Sequence, residues 1–122
     1  MLRIAVFRRF CKEFPSLYGP LTEHNLGLLH VDRLFIGCTG ADSANGFYAS
    51  DMQLFAQIQA MMRIANHIVV VSESRKFSRK SFVRYARPAE AHTLVTDAGL
   101  PPQERRTLED QGVAVLIAGG GE

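Results

Sequence analysis

The apolar positions of this chain fall into short uninterrupted runs separated by polar, glycine-bearing segments, the pattern of sheet strands that are buried on both faces. Residues 31–38 (VDRLFIGC) become continuously apolar after Arg33 and run straight into TGADSANG. This predicts a buried strand that ends in a loop. Ile68, Val69, Val70 and Val71 form a β-branched run that is too short for a helix and shows no alternation. It predicts a second central strand, after which the chain breaks into SESRKFSRKSF. HTLVT at 92–96 and VAVLI at 113–117 predict two further strands, and LRIAVF at 2–7 predicts a first one, followed by a polar connection that ends at Pro15.

Between these runs the period changes from none to helical. Leu54, Phe55, Ile58, Met61, Met62 and Ala65 recur at helical spacing, and Ser50 with Gln53 has the spacing of a capping box, so a helix is predicted over 51–66. Met52, Met61 and Met62 lie within this stripe, where core packing is expected to account for them. Pro20 followed by Leu21, Leu26, Leu28 and Leu29 predicts a short helix at 20–30, because proline is tolerated in a first helical turn. Pro101 and Pro102 open a polar helix that ends near Gln111, with Gly112 suited to the C′ position. Strands alternating with helices imply parallel pairing through right-handed crossovers, hence a single α/β domain over 1–122 built on a three-layer parallel sheet. Ligands of such sheets lie beyond the carboxyl ends of the strands.

Composition narrows the picture. With 122 residues and 47% hydrophobic content the chain suffices for one core. The net charge of +2 is small, and cations gather only at 75–80, which leaves no broad footprint for nucleic acid. Arg79, Lys80 and Arg84 could meet phosphates, but no recognition helix accompanies them. Cys11 and Cys38 stand far apart without CxxC spacing, as free thiols in a reducing compartment do. No apolar window has the length of a membrane span and the N-terminus has no signal-peptide pattern, so a cytoplasmic protein without membrane association is expected. His24, His30, His67 and His92 show no HExxH or paired Cys/His spacing, so no metal is expected. No GxSxG elbow is present, and no catalytic residues are assigned.

Candidate chemistry lies in the two loops that leave the strongest strands. Gly37, Gly40 and Gly46 allow backbone N–H groups close to an anion, Thr39 and Ser74 add hydroxyls, and Lys76 adds a point charge. Together they are the equipment for a phosphate ester. Asp42 could accept hydrogen bonds from sugar hydroxyls. The same spacing also arises when the glycines only turn the chain and 74–80 is an exposed basic loop. Neither segment has a P-loop or GxGxxG fingerprint.

Three segments, SLYGPLTEHNLGLLHVDRLFIGCTGAD with the following NGF, IVVVSESRKFSRKSF, and HTLVTDAGLPP, resemble the effector domain of DeoR-family transcriptional regulators, in family order from Ser16 to about Ile117. The family's VDxxFIGxxGxD pattern falls on Val31, Asp32, Phe35, Ile36, Gly37, Gly40 and Asp42, with Gly46 following. Its DSSKF pattern falls on Glu73, Ser74, Arg75, Lys76 and Phe77. The resemblance implies a partial fold of the ribose-5-phosphate isomerase, glucosamine-6-phosphate deaminase and CoA-transferase type, used to sense a phosphorylated sugar without turnover or cofactor and assembled as a homo-oligomer. Thr39, Gly40, Asp42, Gly46, Ser74 and Lys76 are then the expected ligand-binding residues.

Departures from the family pattern carry their own expectations. Thr39 replaces a common acidic residue and Arg75 a serine, changes that remove a negative and add a positive charge and so should favour a more anionic ligand. The family's helix-turn-helix and earlier Gly/Thr phosphate loop do not precede Leu2, which implies a truncated sensor whose DNA contact comes only through a separate or missing module. An uncovered edge or face of the sheet predicts self-association. The alternatives are a sugar-phosphate isomerase or deaminase in which Asp42 shuttles a proton, and a ligand-free oligomerisation scaffold.

Overall fold

The structure, a computed structural model, describes residues 4–7 and 30–119. The expected helix at 20–30, Cys11 and His24 lie outside the described residues.

Five strands form one parallel sheet: β1 (Ile4–Phe7), β2 (Val31–Ile36), β5 (Ala65–Val71), β7 (Thr93–Thr96) and β8 (Ala114–Ile117), in that spatial order. The expected runs became these strands with small shifts at their ends. Helix α1 (Met52–Ile64) stops sooner than its apolar stripe suggests, because Ala65 already pairs with Val31 at the head of β5. Its N-cap is Asp51 rather than Ser50. The Asp51 carboxylate accepts the N–H of Leu54 at 2.8 Å, satisfying one of the orphan donors of the first turn. Helix α2 (Pro102–Asp110) ends in a Schellman arrangement, with Gly112 N–H on Glu109 O and Val113 N–H on Leu108 O. Gly112 holds the positive φ of +92° that this termination needs.

The expected loops on either side of α1 hold a second sheet that periodicity did not reveal. β3 (Gly40–Asp42), β4 (Gly46–Ala49) and β6 (Val83–Ala86) pair antiparallel in the order β3-β4-β6. Strands of three or four residues give no usable alternation, and these are held by tertiary contacts. Phe47 packs edge-on against Phe77 and stacks with Tyr85, all three buried. Ala41 N–H donates to Arg79 O at 3.0 Å, and the Gln59 amide donates to the carbonyl of Tyr85.

One core lies on one face of the parallel sheet. Leu34, Ile36, Ile68, Val70, Leu94 and Val115 join Ile58, Met61 and Ile64 of α1, Leu108 of α2 and the aromatic trio. The alternate strand residues Phe35, Val69, Val71, Val95 and Leu116 stand outside this cluster. The order β2-β5-β7-β8 advances in one direction, so right-handed crossovers lay every described connection on the same side. Among the described residues the architecture is therefore a sheet with one covering layer, and Val71 and Leu116 are 46% and 56% exposed on the other face.

The change of cap residue is directly testable. Asp51→Ala should cost about 1 kcal/mol in urea unfolding, the usual value of an N-cap carboxylate, while Ser50→Ala should stay within about 0.5 kcal/mol.

Candidate functional site

All five strands of the parallel sheet end at one edge, and several polar side chains from different segments meet there. Beyond β2 the carbonyls of Gly37 and Cys38 leave the ladder. Tyr85 O–H donates to the first at 2.9 Å and Lys76 Nζ to the second at 3.0 Å. Burial holds the Tyr85 phenol well above its ordinary value, so it remains a neutral donor. Burial likewise raises the Cys38 thiol against the opposing effects of Ser72 and Lys76, and the S–H lies 3.3 Å from Ser72 Oγ. Cys38 is free, as expected.

Beyond β5, Ser72 N–H donates to Val95 O, and the chain enters a 3-10 turn over Ser74–Ser78. Phe77 is buried in the aromatic trio and anchors this turn. That anchor sets Lys76, half-buried, against the end of β2. No carboxylate lies within ion-pair distance of Lys76 among the described residues. The ammonium keeps two of its three donors after the bond to Cys38 O.

Beyond β7, Asp97 binds back to the β5 loop. Its Oδ1 accepts the Ser74 hydroxyl at 2.6 Å and Gly99 N–H at 2.8 Å, and its Oδ2 accepts Ser74 N–H at 2.9 Å. The Ser74 side chain, then its N–H and that of Gly99, hold the Asp97 carboxyl below its ordinary value of 3.8. Sequence reasoning missed Asp97, although an acid directly after the strand HTLVT, two residues before a glycine, was a usable signal.

The six expected binding residues separate into two groups. Ser74 and Lys76 share the carboxyl edge with Thr39, whose N–H and hydroxyl both donate to Tyr48 O to start the small sheet. Gly40 opens β3, where a side chain would meet Arg79 O at 2.6 Å. Asp42 and Gly46 frame the β3–β4 hairpin. The Asp42 carboxylate accepts Ala44 N–H at 2.8 Å, Asn45 N–H at 3.3 Å and the Asn45 amide at 2.9 Å. Burial opposes its charge, but these bonds and the Lys80 charge bring its carboxyl below the ordinary value. Gly46 has φ +129°, and a side chain there would come within 2.0 Å of Ala86 O. The hairpin tip is tied by Gln111 to Ser43 O at 2.8 Å, and Gln111 sits where α2 passes into β8, at the amino edge of the sheet. The printed partners of the Asp42 carboxylate thus all lie within its own hairpin.

The extra positive charge expected from Arg75 is met locally, since its guanidinium lies 3.0 Å from Glu73 in an exposed pair. His67 and His92 stack at the amino edge with ring centroids 4.7 Å apart. Burial, then the neighbouring His92 and Arg33, lower the pKa of His67. No group of three potential metal ligands occurs among the described residues. None of the helices among them is long and apolar enough to cross a membrane.

A family profile described as "DeoR C terminal sensor domain" matches residues 9–98. This chain belongs to the DeoR C-terminal sensor domain family. Its similarity to curated DeoR-type relatives includes 31% identity over 100 residues with the "Uncharacterized HTH-type transcriptional regulator YulB" of Bacillus subtilis, covering 82% of this chain and 39% of the relative. A "Putative aga operon transcriptional repressor" of Escherichia coli O157:H7 is 28% identical across 88% of the chain and 40% of its own length. An "L-fucose operon activator" of Haemophilus influenzae is 22% identical across 88% of the chain and 43% of its own length. The chain spans about two fifths of the length of these relatives. Within the DeoR sensor match lie β2 to β7, with Lys76 and Asp97.

The Asp97 tie sets a pH dependence. A carboxyl lowered on folding stabilises fully above its unfolded value and loses that contribution as pH falls through the folded one. Thermal unfolding should therefore separate wild type from Asp97→Asn at neutral pH, with the gap closing below the ordinary carboxylate value of 3.8. A gap that stays constant down to about pH 2 would show that the carboxylate charge is not what holds the loop.

Proposed function

We propose that this chain is the effector-sensing part of a transcriptional regulator of sugar metabolism, and that it binds a phosphorylated sugar at the carboxyl edge of its parallel sheet. The observation that carries this reading is Lys76. A half-buried ammonium that has no carboxylate partner among the described residues and gives them one hydrogen bond, to Cys38 O, is fixed between the ends of β2 and β5, and an anionic oxygen is the natural acceptor for its other donors. Ser74 and Thr39 flank it. Gly40, Asp42 and Gly46 serve the same site indirectly, by building the small sheet whose aromatic core seats the Lys76 turn.

On this reading the domain completes a fold of the ribose-5-phosphate isomerase and glucosamine-6-phosphate deaminase type, with a third layer over the face that carries Val71, Val95 and Leu116. Such a regulator is cytoplasmic and homo-oligomeric, and it meets DNA through a helix-turn-helix module. Relatives that carry operon names, the aga repressor and the fucose activator among them, support sensing rather than turnover. Asp42, the base that an isomerase reading would need, already has three donors in its hairpin.

Thermal unfolding of the chain with ribose 5-phosphate, glucosamine 6-phosphate, glycerol 3-phosphate and inorganic phosphate tests the reading. A ligand at one hundred times its dissociation constant adds about 2.7 kcal/mol, a rise of several degrees for a domain of this size. Lys76→Ala should abolish the rise. A wild-type protein that none of the four stabilises, or a Lys76→Ala variant stabilised as strongly as wild type, overturns it.

A further inference from the structure

We infer that His67 and His92 form a proton-operated latch at the amino edge of the parallel sheet, closed while both rings are neutral and released when they charge, which sets how firmly the head of β7 is held to β5. The two histidines lie at the edge opposite Lys76 and Asp97, so the latch stands apart from the anion-binding reading above. Their rings stack with centroids 4.7 Å apart and an interplanar angle of 24°. Each ring also makes a hydrogen bond between the two strands. The Ile68 N–H donates to His92 Nδ1 at 2.9 Å, and His67 Nε2 lies 2.9 Å from Thr93 Oγ1. The backbone adds one further tie, from His92 N–H to Ile68 O at 2.9 Å.

The direction of the Ile68 bond makes this junction sensitive to protons. A ring nitrogen that accepts an N–H holds no proton of its own, so His92 is the neutral tautomer with its hydrogen on Nε2. An imidazolium carries hydrogens on both nitrogens and accepts nothing. Charging His92 therefore sets two donors against each other, Ile68 N–H and Nδ1–H, and the ring must leave. Ile68 is buried. Its amide is then an unpaired donor inside the sheet, which is costly unless the head of β7 opens to water.

The charged groups around the pair oppose a proton on either ring. From β2, Arg33 stands opposite His67 as its register partner, and from the head of β7 the facing group is His92 itself. On β8, Ala114 stands opposite Thr93 and brings no charge. His67, Arg33 and Thr93 alternate with Ile68, Leu34 and Leu94, of which all three belong to the core, so His67 stands on the face away from α1 and α2 and the charges of those helices lie across the sheet. Asp32, at the head of β2, lies 3.8 Å from His30, and Glu90, in the turn before His92, pairs with Arg87. Among the described residues neither ring has a carboxylate within ion-pair distance. The lowered pKa of His67 agrees with these surroundings. A base lowered on folding contributes stability that is complete above its unfolded value and declines as pH falls through it. Release therefore belongs below the ordinary histidine value of 6.5, where Asp97, held below 3.8, remains charged.

Amide exchange and imidazole NMR on the whole chain test the latch. At about pH 8 the ring-nitrogen shifts of His92 should report the Nε2–H tautomer. Between about pH 7.5 and about pH 5.5 the protection factor of the Ile68 amide should fall about tenfold, the worth of the one hydrogen bond that is lost, while that of Leu34 in the same sheet holds. His92→Asn places an amide oxygen near the position of Nδ1 and cannot be protonated, so in that variant the Ile68 protection should stay level over the same range. An Nδ1–H tautomer for His92 overturns the inference in the wild type alone, with no variant needed. So does wild-type Ile68 protection that does not change with pH, or that falls only together with Leu34. Protection that falls in His92→Asn as far as in wild type overturns it as well, and if that variant does not fold, the wild-type tautomer and pH profile decide.

Discussion

A buried parallel strand that ends must hand its last carbonyls and amides to something other than another strand, because leaving a backbone polar group unpaired costs as much as a lost hydrogen bond. In this protein the groups that accept that task are the ones available for chemistry. Tyr85 takes the carbonyl of Gly37, Lys76 that of Cys38, and Asp97 the amide of Ser74. Each is a side chain carried by a different segment, and each ties that segment to the end of β2 or β5. The requirement that the sheet be satisfied at its edge and the placing of a cation and a carboxylate there are one set of interactions.

The small antiparallel sheet acquires its purpose from this arrangement. Lys76 belongs to an exposed, cation-rich stretch that would not hold a side chain in place unaided. Phe77 beside it is buried edge-on against Phe47, and Phe47 stacks with Tyr85, whose hydroxyl reaches back to Gly37. Aromatic pairs of this kind add about 0.5–1.5 kcal/mol beyond their buried area. They also fix the orientation of the 3-10 turn. The glycines that look like phosphate-loop residues serve this sheet, Gly40 where β3 passes the backbone of Arg79 and Gly46 at the positive φ of the hairpin.

The elements legible in the sequence were those whose signal is local. Continuous apolar runs announced β2, β5, β7 and β8, a helical stripe announced α1, and the Pro-Pro and Gly112 punctuation bounded α2. The second sheet was illegible because its strands are three or four residues long and owe their pairing to buried aromatics far apart in sequence. Ser74 and Lys76 were visible as a hydroxyl and a charge after a strand. Asp97 was not, since its significance lies in a partner 23 residues away. Asp42 is ambiguous for a different reason. An acid in a glycine-rich loop reads equally as a ligand group or as the acceptor that closes a turn, and only the positions of Ala44 and Asn45 distinguish the two.

Charge at the edge acts through direction more than through strength. Arg75, which adds a cation relative to the family pattern, faces Glu73 in an exposed pair worth at most about 1 kcal/mol and contributes little net field. Thr39 spends its hydroxyl on Tyr48 O. Against the ends of β2 and β5 the described residues set one ammonium, Lys76, and one carboxylate, Asp97, on neighbouring loops. Beyond about 8 Å such charges are screened at physiological salt. What these groups do they therefore do through direct contacts, Lys76 toward β2 and Asp97 toward β5. A pair of this kind, held by short hydrogen bonds to the ends of β2 and β5, acts by fixing the two loops against the sheet and not by drawing charge from a distance.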